Sequence, residues 1–202
     1  MNDRIEKLAV VLAFALSITA DGWYCHQAMA GVVEPTLATW MVFEVGSLLS
    51  LASYRKYDRG EHPLISNIAN YMDPVIVAIV MVFVALSPKV DAHFRFWNFV
   101  CFAIAILAIV VWRATHSEVK ANVVSQFVMG AGYVPMVLHL VRERRNTESF
   151  VMWTAGLAIA LLLLISPIRR RNRLGILYIG RAAACVAAML GVMLYFQFLG
   201  PR

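Results

Sequence analysis

A chain of 202 residues of which 61% are hydrophobic and only 15% charged, with a mean hydropathy of +0.71, is far more apolar than a soluble domain, where about a quarter of residues carry charge. It reads as an integral, multi-pass membrane protein, long enough for about seven helices of roughly 20 residues in a lipid bilayer. The net charge of +6 falls in the turns, where basic residues anchor helix ends and set topology, which argues against a nucleic-acid partner.

The spans are expected, in order, at Ile5–Ala30, Thr36–Tyr54, Leu64–Leu86, Phe94–Trp112, Val119–Val141, Ser149–Ser166 and Leu174–Leu199. The N-terminus carries charges of both signs and runs into a long apolar stretch containing Asp21, unlike the short apolar core of a cleaved signal peptide. Gly31 and Pro35 bracket the first turn. Arg55–Pro63, Ser87–Asp91 and Arg113–Ser117 form the next three, and Pro167 with the arginine run after it closes span 6. Proline cannot continue a helical ladder, and clustered arginines resist entry into lipid. Cys25, Cys101 and Cys185 are dispersed and odd in number, which suits packing rather than a disulfide framework or a zinc site. No cofactor is expected. None of Lys7, Lys56, Lys89 and Lys120 lies in span 7, where a retinal protein needs its lysine, and no HExxH or GxSxG motif marks an enzyme.

Laid on itself at an offset of 113 residues, the chain aligns Trp40 with Trp153, His26 with His139 and Ser53 with Ser166, and EPTLATW with TESFVMW just before the tryptophans. A duplicated three-helix unit joined by one linking helix follows: residues 1–90, 91–116 and 117–202. The expected fold is all-α, two parallel triple bundles in a 3+1+3 arrangement.

Asp21, Glu44, Asp73 and Arg181 each fall within a span. Each costs roughly 2.5–3.5 kcal/mol at mid-bilayer, so each must face the bundle interior, water or a partner. Asp73 and Arg181 stand at similar depths on the third helices of the two units, and an ion pair between them is expected. Helical spacing aligns Asn67, Asn70, Tyr71 and Pro74 on one face of span 3, with Ser66 and Asp73 on its edge. Trp40, Glu44 and Ser47 align in span 2. Asn122, Gln126, Met129 and Tyr133 align in span 5, and Ser17, Asp21 and Tyr24 in span 1. Such stripes either glue helices together or line a cavity for a small polar solute. From them the candidate binding residues are Asn67, Asn70, Tyr71, Asp73, Arg181, Trp40, Glu44, Gln126 and Tyr133. Gly180, Ala184, Ala188 and Gly191 form a small-residue edge suited to close helix packing. His26 and His139 sit near helix ends beside polar turns, as interfacial histidines do.

The stretch GYVPMVLHLVRERRNTESFVMW, Gly132–Trp153, resembles the PQ-loop hairpin of the SWEET-like heptahelical transporters. Pro135 matches the family's proline, Arg142–Arg145 its basic turn and Trp153 its tryptophan, while Met136 stands in place of the glutamine and Gly22 in place of the first unit's proline. The resemblance implies transport of a sugar- or amino-acid-like solute by rocking one triple bundle against the other, with Pro135, Gly22 and Pro74 as hinges. It also implies proton coupling through Asp73 or Glu44, a plasma (inner) membrane location and room for homo-oligomers. Eleven Lys and Arg lie on the N-terminal side against six on the other, which favours a cytoplasmic N-terminus, whereas the family places these motif turns in the cytosol. A non-transporting seven-helix sensor or assembly scaffold is the alternative.

Overall fold

The computed structural model describes residues 3–93 and 95–199. Phe94, the expected start of span 4, and Arg202, one of the counted charges, lie outside the described residues, as do residues 1, 2, 200 and 201 of the expected bundles. The helices are α1 (Asp3–Met29), α2 (Leu37–Asp58), α3 (Ile68–Ala85, entered through a 3-10 turn at Leu64–Asn67), α4 (Phe96–Thr115), α5 (Glu118–Ala131), α6 (Tyr133–Glu143), α7 (Phe150–Arg169) and α8 (Arg173–Leu194), the last running into a π turn at Tyr195–Leu199. Among the described residues seven helical segments are long and apolar enough to cross a bilayer, α5 and α6 counting as one. The sole β pairing there is an isolated bridge between Thr36 and Asp91.

Helix starts follow capping chemistry. Ser117, Ser149 and Asn172 precede α5, α7 and α8, and their side chains accept from the backbone N–H groups of Lys120, Met152 and Gly175, donors the helix itself leaves unpaired.

Span 5, expected as one helix, is two, divided at Gly132. Pro135 has no N–H, so the carbonyl of Ala131, four residues earlier, loses its helical donor. Cys101 on α4 turns its thiol towards that oxygen at 3.4 Å. Gly132 is required at the break, because a Cβ there would lie 2.6 Å from the Phe43 ring of α2. By contrast α1 runs unbroken through Gly22, and α3 through Pro74.

Helix neighbours follow a closed order. α1 packs on α3 and α7, α2 on α3 and α5, and α8 on α7, α5 and α6, while α4 lies outside against α5 and α2. One end of the ring is filled by a cluster of buried apolar groups that includes Tyr24, Trp40, Phe43, Met136, Trp153 and Met193. The small-residue edge of α8 does not pack as expected. Ala184, Ala188 and Gly191 are exposed on the outer surface, and a Cβ at Gly180 or Gly191 would meet nothing within 4 Å.

Candidate solute site at the middle of the bundle

The polar face of span 3 turns inward. Ser66, Asn67, Asn70 and Pro74 are all buried. Asn67, Asn70 and Asp73 recur every three residues and so climb successive turns of one strip. Both side-chain atoms of each amide, Asn67 and Asn70, are buried without a protein partner. Pro74 adds a further acceptor, since it leaves the Asn70 carbonyl without its helical donor.

Next along the strip, Asp73 accepts a 2.6 Å hydrogen bond from the hydroxyl of Tyr178 on α8. The expected direct ion pair between Asp73 and Arg181 is not formed. Tyr178 lies one turn before Arg181, its ring 5.4 Å beneath the guanidinium, and its hydroxyl occupies the carboxylate that Arg181 was expected to reach. Arg181 Nε donates instead to Gln126 Oε1 at 3.3 Å, and Nη2 lies 3.5 Å from Met129 Sδ. Asp73, Tyr178, Arg181 and Gln126 therefore form one chain across α3, α8 and α5. Asp73 and Ser17 also line a cavity of about 40 Å³ between α1, α3 and α7.

The α5 stripe serves two purposes. Asn122 Nδ2 donates to Ser50 O, Ser50 Oγ and Ser53 Oγ, and Gln126 Nε2 to Ser50 Oγ. These contacts glue α5 to α2. Gln126 alone reaches from that glue to the central chain.

Trp40 and Tyr133, expected as binding groups, belong to an aromatic layer beside the site, with Tyr133 within electrostatic reach of Asp73 and Arg181. Tyr133 lies 4.8 Å from Phe43 and 5.8 Å from Trp153, ring centre to ring centre, and Trp40 lies 5.9 Å from Phe43 and 5.5 Å from Tyr24. Tyr71, on the same helix as Asp73, is half-buried. It meets Tyr54 edge-on at 6.1 Å, towards the opposite end. Glu44 is half-buried on α2, with Oε2 buried and unpartnered.

Both ends are closed by contacts between early and late parts of the chain. At the end holding the N-terminus, Asn172 Nδ2 donates to the Tyr54 hydroxyl at 2.7 Å and to Ser66 Oγ at 3.0 Å, and the buried Glu6 is held by Arg169 and Arg170. At the other end, Arg145 pairs with Glu34 at 2.6 Å and Arg142 with Asp91 at 2.8 Å, while the Glu34 N–H donates to Thr147 O. Beneath them the buried Glu148 accepts from the Tyr24 hydroxyl at 3.1 Å and from Trp153 Nε1 at 3.2 Å. Burial pushes the Glu148 carboxyl up to about 7, against the opposing pull of those donors. Asp91 is also raised by burial, but the Arg142 hydrogen bond and the His93 N–H outweigh this and hold it below its usual range.

Sequence reasoning missed Tyr54, Glu148, Asn172 and Tyr178. Asn172 carried a signal as the lone amide in an arginine run that opens a helix, and Tyr178 lies one turn from an intramembrane arginine. Among the described residues no three His, Cys, Asp or Glu side chains converge as a metal site requires.

Compared with protein-family models, curated proteins and solved structures, the chain matches none.

Proposed function

We propose that this protein is a transporter of a small polar solute, sugar- or amino-acid-like, that works by alternating access in the plasma (inner) membrane. The observation that carries the reading is the buried, unpartnered amides of Asn67 and Asn70, next to Asp73 and the Tyr178–Arg181–Gln126 chain. A buried polar group without a partner costs about 1–3 kcal/mol, so four such atoms on one strip suit a site whose hydrogen bonds are completed by a polar ligand.

The moving parts are the bundles α1–α3 and α5–α8, with α4 as the linker. Leaving α4 aside, exchanging α1 with α5–α6, α2 with α7 and α3 with α8 carries the α7–α8 contact onto α2–α3, α1–α7 onto α2–α5 and α1–α3 onto α5–α8, which supports two equivalent triple bundles. Access from one side at a time follows if the Asn172 contacts and the Glu34, Asp91 and Glu148 contacts break alternately. Pro135 and Gly132 supply the flexible point in the second bundle. Asp73 is the proton-coupling group in this reading, with Glu44 as the second carboxylate.

The test is uptake of a panel of radiolabelled sugars and amino acids into proteoliposomes, with and without a pH gradient. One or more solutes should accumulate, Asn70→Ala should abolish uptake in a protein that still runs as a single species on gel filtration, and Asp73→Asn should remove the response to pH. If no solute in the panel is taken up, the scaffold or sensor alternative stands in its place.

A further inference from the structure

A cavity of about 640 Å³ opens on the flank of the bundle between α1 and α3, a volume within the range that binds drug-sized molecules. Its walls are almost wholly apolar. Phe14 and Ile18 come from α1 and Val75, Ile79 and Phe83 from α3, and all five are exposed on a surface that faces hydrocarbon if these helices span the bilayer. One group does not fit such a wall. Asp21 is half-buried in it, and the structure gives its carboxylate one donor, the Ser17 hydroxyl, on Oδ2.

A carboxylate in this setting needs a cation or a proton. Among the described residues no lysine or arginine lines the groove, and the other titratable groups facing it there are Cys25 and His26. The His26 ring is stacked on Trp23 at 5.5 Å and is exposed. With no basic side chain to answer it, an ionised Asp21 calls for a cationic occupant. An acyl chain would fill the apolar walls and leave Asp21 unanswered. A phospholipid ammonium cannot reach it readily, because Asp21 lies eight residues inside the end of α1 at Met29, a depth of about 12 Å at 1.5 Å per residue.

The groove also backs onto the central site. Phe14, Ser17, Met72 and Ile76 wall both the groove and the small cavity beside Asp73. One carboxylate stands at the outer side of this partition and a second at its inner side, with Ser17 between them.

We propose that the α1–α3 flank is a binding site, entered from the bilayer, for an amphiphilic cation, an ammonium or phosphonium bearing apolar substituents, with Asp21 as its counter-ion. This goes beyond transport of a polar solute and does not depend on it.

The experiment measures equilibrium binding of tritiated tetraphenylphosphonium to the full chain in phosphatidylcholine nanodiscs, with uncharged tetraphenylsilane and anionic tetraphenylborate as competitors. Binding should be saturable, and Asp21→Asn should weaken it by roughly thirtyfold or more, the lower end of the scale for losing one partner of a desolvated charge pair. Asp21→Glu should retain it, and Ile79→Trp, which fills the groove without touching a charge, should abolish it. Neither competitor should match unlabelled tetraphenylphosphonium. Equal affinity in the wild type and Asp21→Asn, displacement by tetraphenylsilane as effective as by the cation, or no saturable signal over empty nanodiscs would each overturn the proposal. Asn70→Ala, which should lose solute uptake, should bind the phosphonium normally, so that failure of one reading is distinguishable from failure of the other.

Discussion

The thiol of Cys101 lies 3.4 Å from the carbonyl oxygen of Ala131, the acceptor that Pro135 leaves without a helical donor. A side chain of α4 thus partly repairs a break in the neighbouring span, as polar groups near transmembrane prolines commonly do. Restoring the N–H with Pro135→Ala should let α5 and α6 join. The new amide at 135 should then be protected in hydrogen–deuterium exchange, and stability should rise by about 1 kcal/mol, the net value of one backbone hydrogen bond. Cys101→Ala should cost about 0.5 kcal/mol more in the wild type than in the Pro135→Ala background, a weak donor's share, since the packing lost with the buried sulfur is common to both. If the break is a hinge, the joined helix should also slow solute uptake; unchanged uptake in Pro135→Ala would remove Pro135 from the mechanism.

Glu148 makes a prediction about neutral pH. Its carboxyl is raised from 4.5 to about 7, so between those values the folded state binds a proton that the unfolded state has released. Stability from this group is therefore fully present below about pH 4.5 and is lost as pH rises through 7. Glu148→Gln keeps an oxygen to accept from Tyr24 and Trp153 but cannot ionise. Thermal unfolding in detergent should show the wild type losing stability between pH 5 and 8 relative to the variant. The difference at pH 8 should be on the order of 3 kcal/mol, since each tenfold change in proton affinity is worth about 1.4 kcal/mol. Parallel pH curves for the two proteins would mean that Glu148 is hydrated rather than buried.

The seven spans were legible because a bilayer imposes a length of apolar sequence that few other contexts require. Inward placement of Asn67, Asn70 and Gln126 was legible from helical spacing. What a stripe cannot tell is which neighbour reaches a group first. Asp73 and Arg181 stood at matching depths, yet Tyr178 reaches the carboxylate, and in the sequence it reads as one more aromatic on an apolar helix. Glu148 looked like a turn residue, but it is buried and accepts a hydrogen bond from Tyr24, 124 positions away. The division at Gly132 needed Phe43 from another helix to explain it. The edge of α8 misled for the opposite reason: small residues permit close packing, but among the described residues α8 has no neighbour on that side.

Asp91 predicts behaviour in acid. Its carboxyl sits below 3.8 because the Arg142 hydrogen bond and the His93 N–H outweigh burial. A depressed carboxylate contributes stability above its unfolded pKa and loses it as pH falls through the folded value. Asp91→Asn should therefore flatten the acid limb of a stability profile below about pH 4. At pH 7 it should cost about 1 kcal/mol, a modest sum, because the Arg142 side chain is 33% exposed. The backbone of Asp91 also bonds to Pro35 and Leu37, and these contacts survive the substitution, so the turn should stay folded. A steep acid limb retained in Asp91→Asn would assign the acid sensitivity to another group.

Asn172 carries the seal at the opposite end with three contacts from one side chain. Its Oδ1 accepts from the Gly175 N–H, and its Nδ2 donates to the Tyr54 hydroxyl and to Ser66 Oγ. Asn172→Asp keeps the helix cap, for which aspartate is equally suited, but replaces the donor with an acceptor facing two hydroxyls, whose protons can turn to meet it. Asn172→Ala loses all three contacts and should destabilise by about 2–3 kcal/mol, a cap plus a buried side-chain network. If the Asn172 contacts are also a gate, Asn172→Ala should increase labelling of a cysteine introduced at Ser66 by a membrane-impermeant maleimide from the N-terminal side. Asn172→Asp should leave that labelling close to the parent's. Equal labelling in all three proteins, with the expected fall in stability for Asn172→Ala, would make Asn172 a structural cap and leave the gating role to the Glu6–Arg170 contact or to neither.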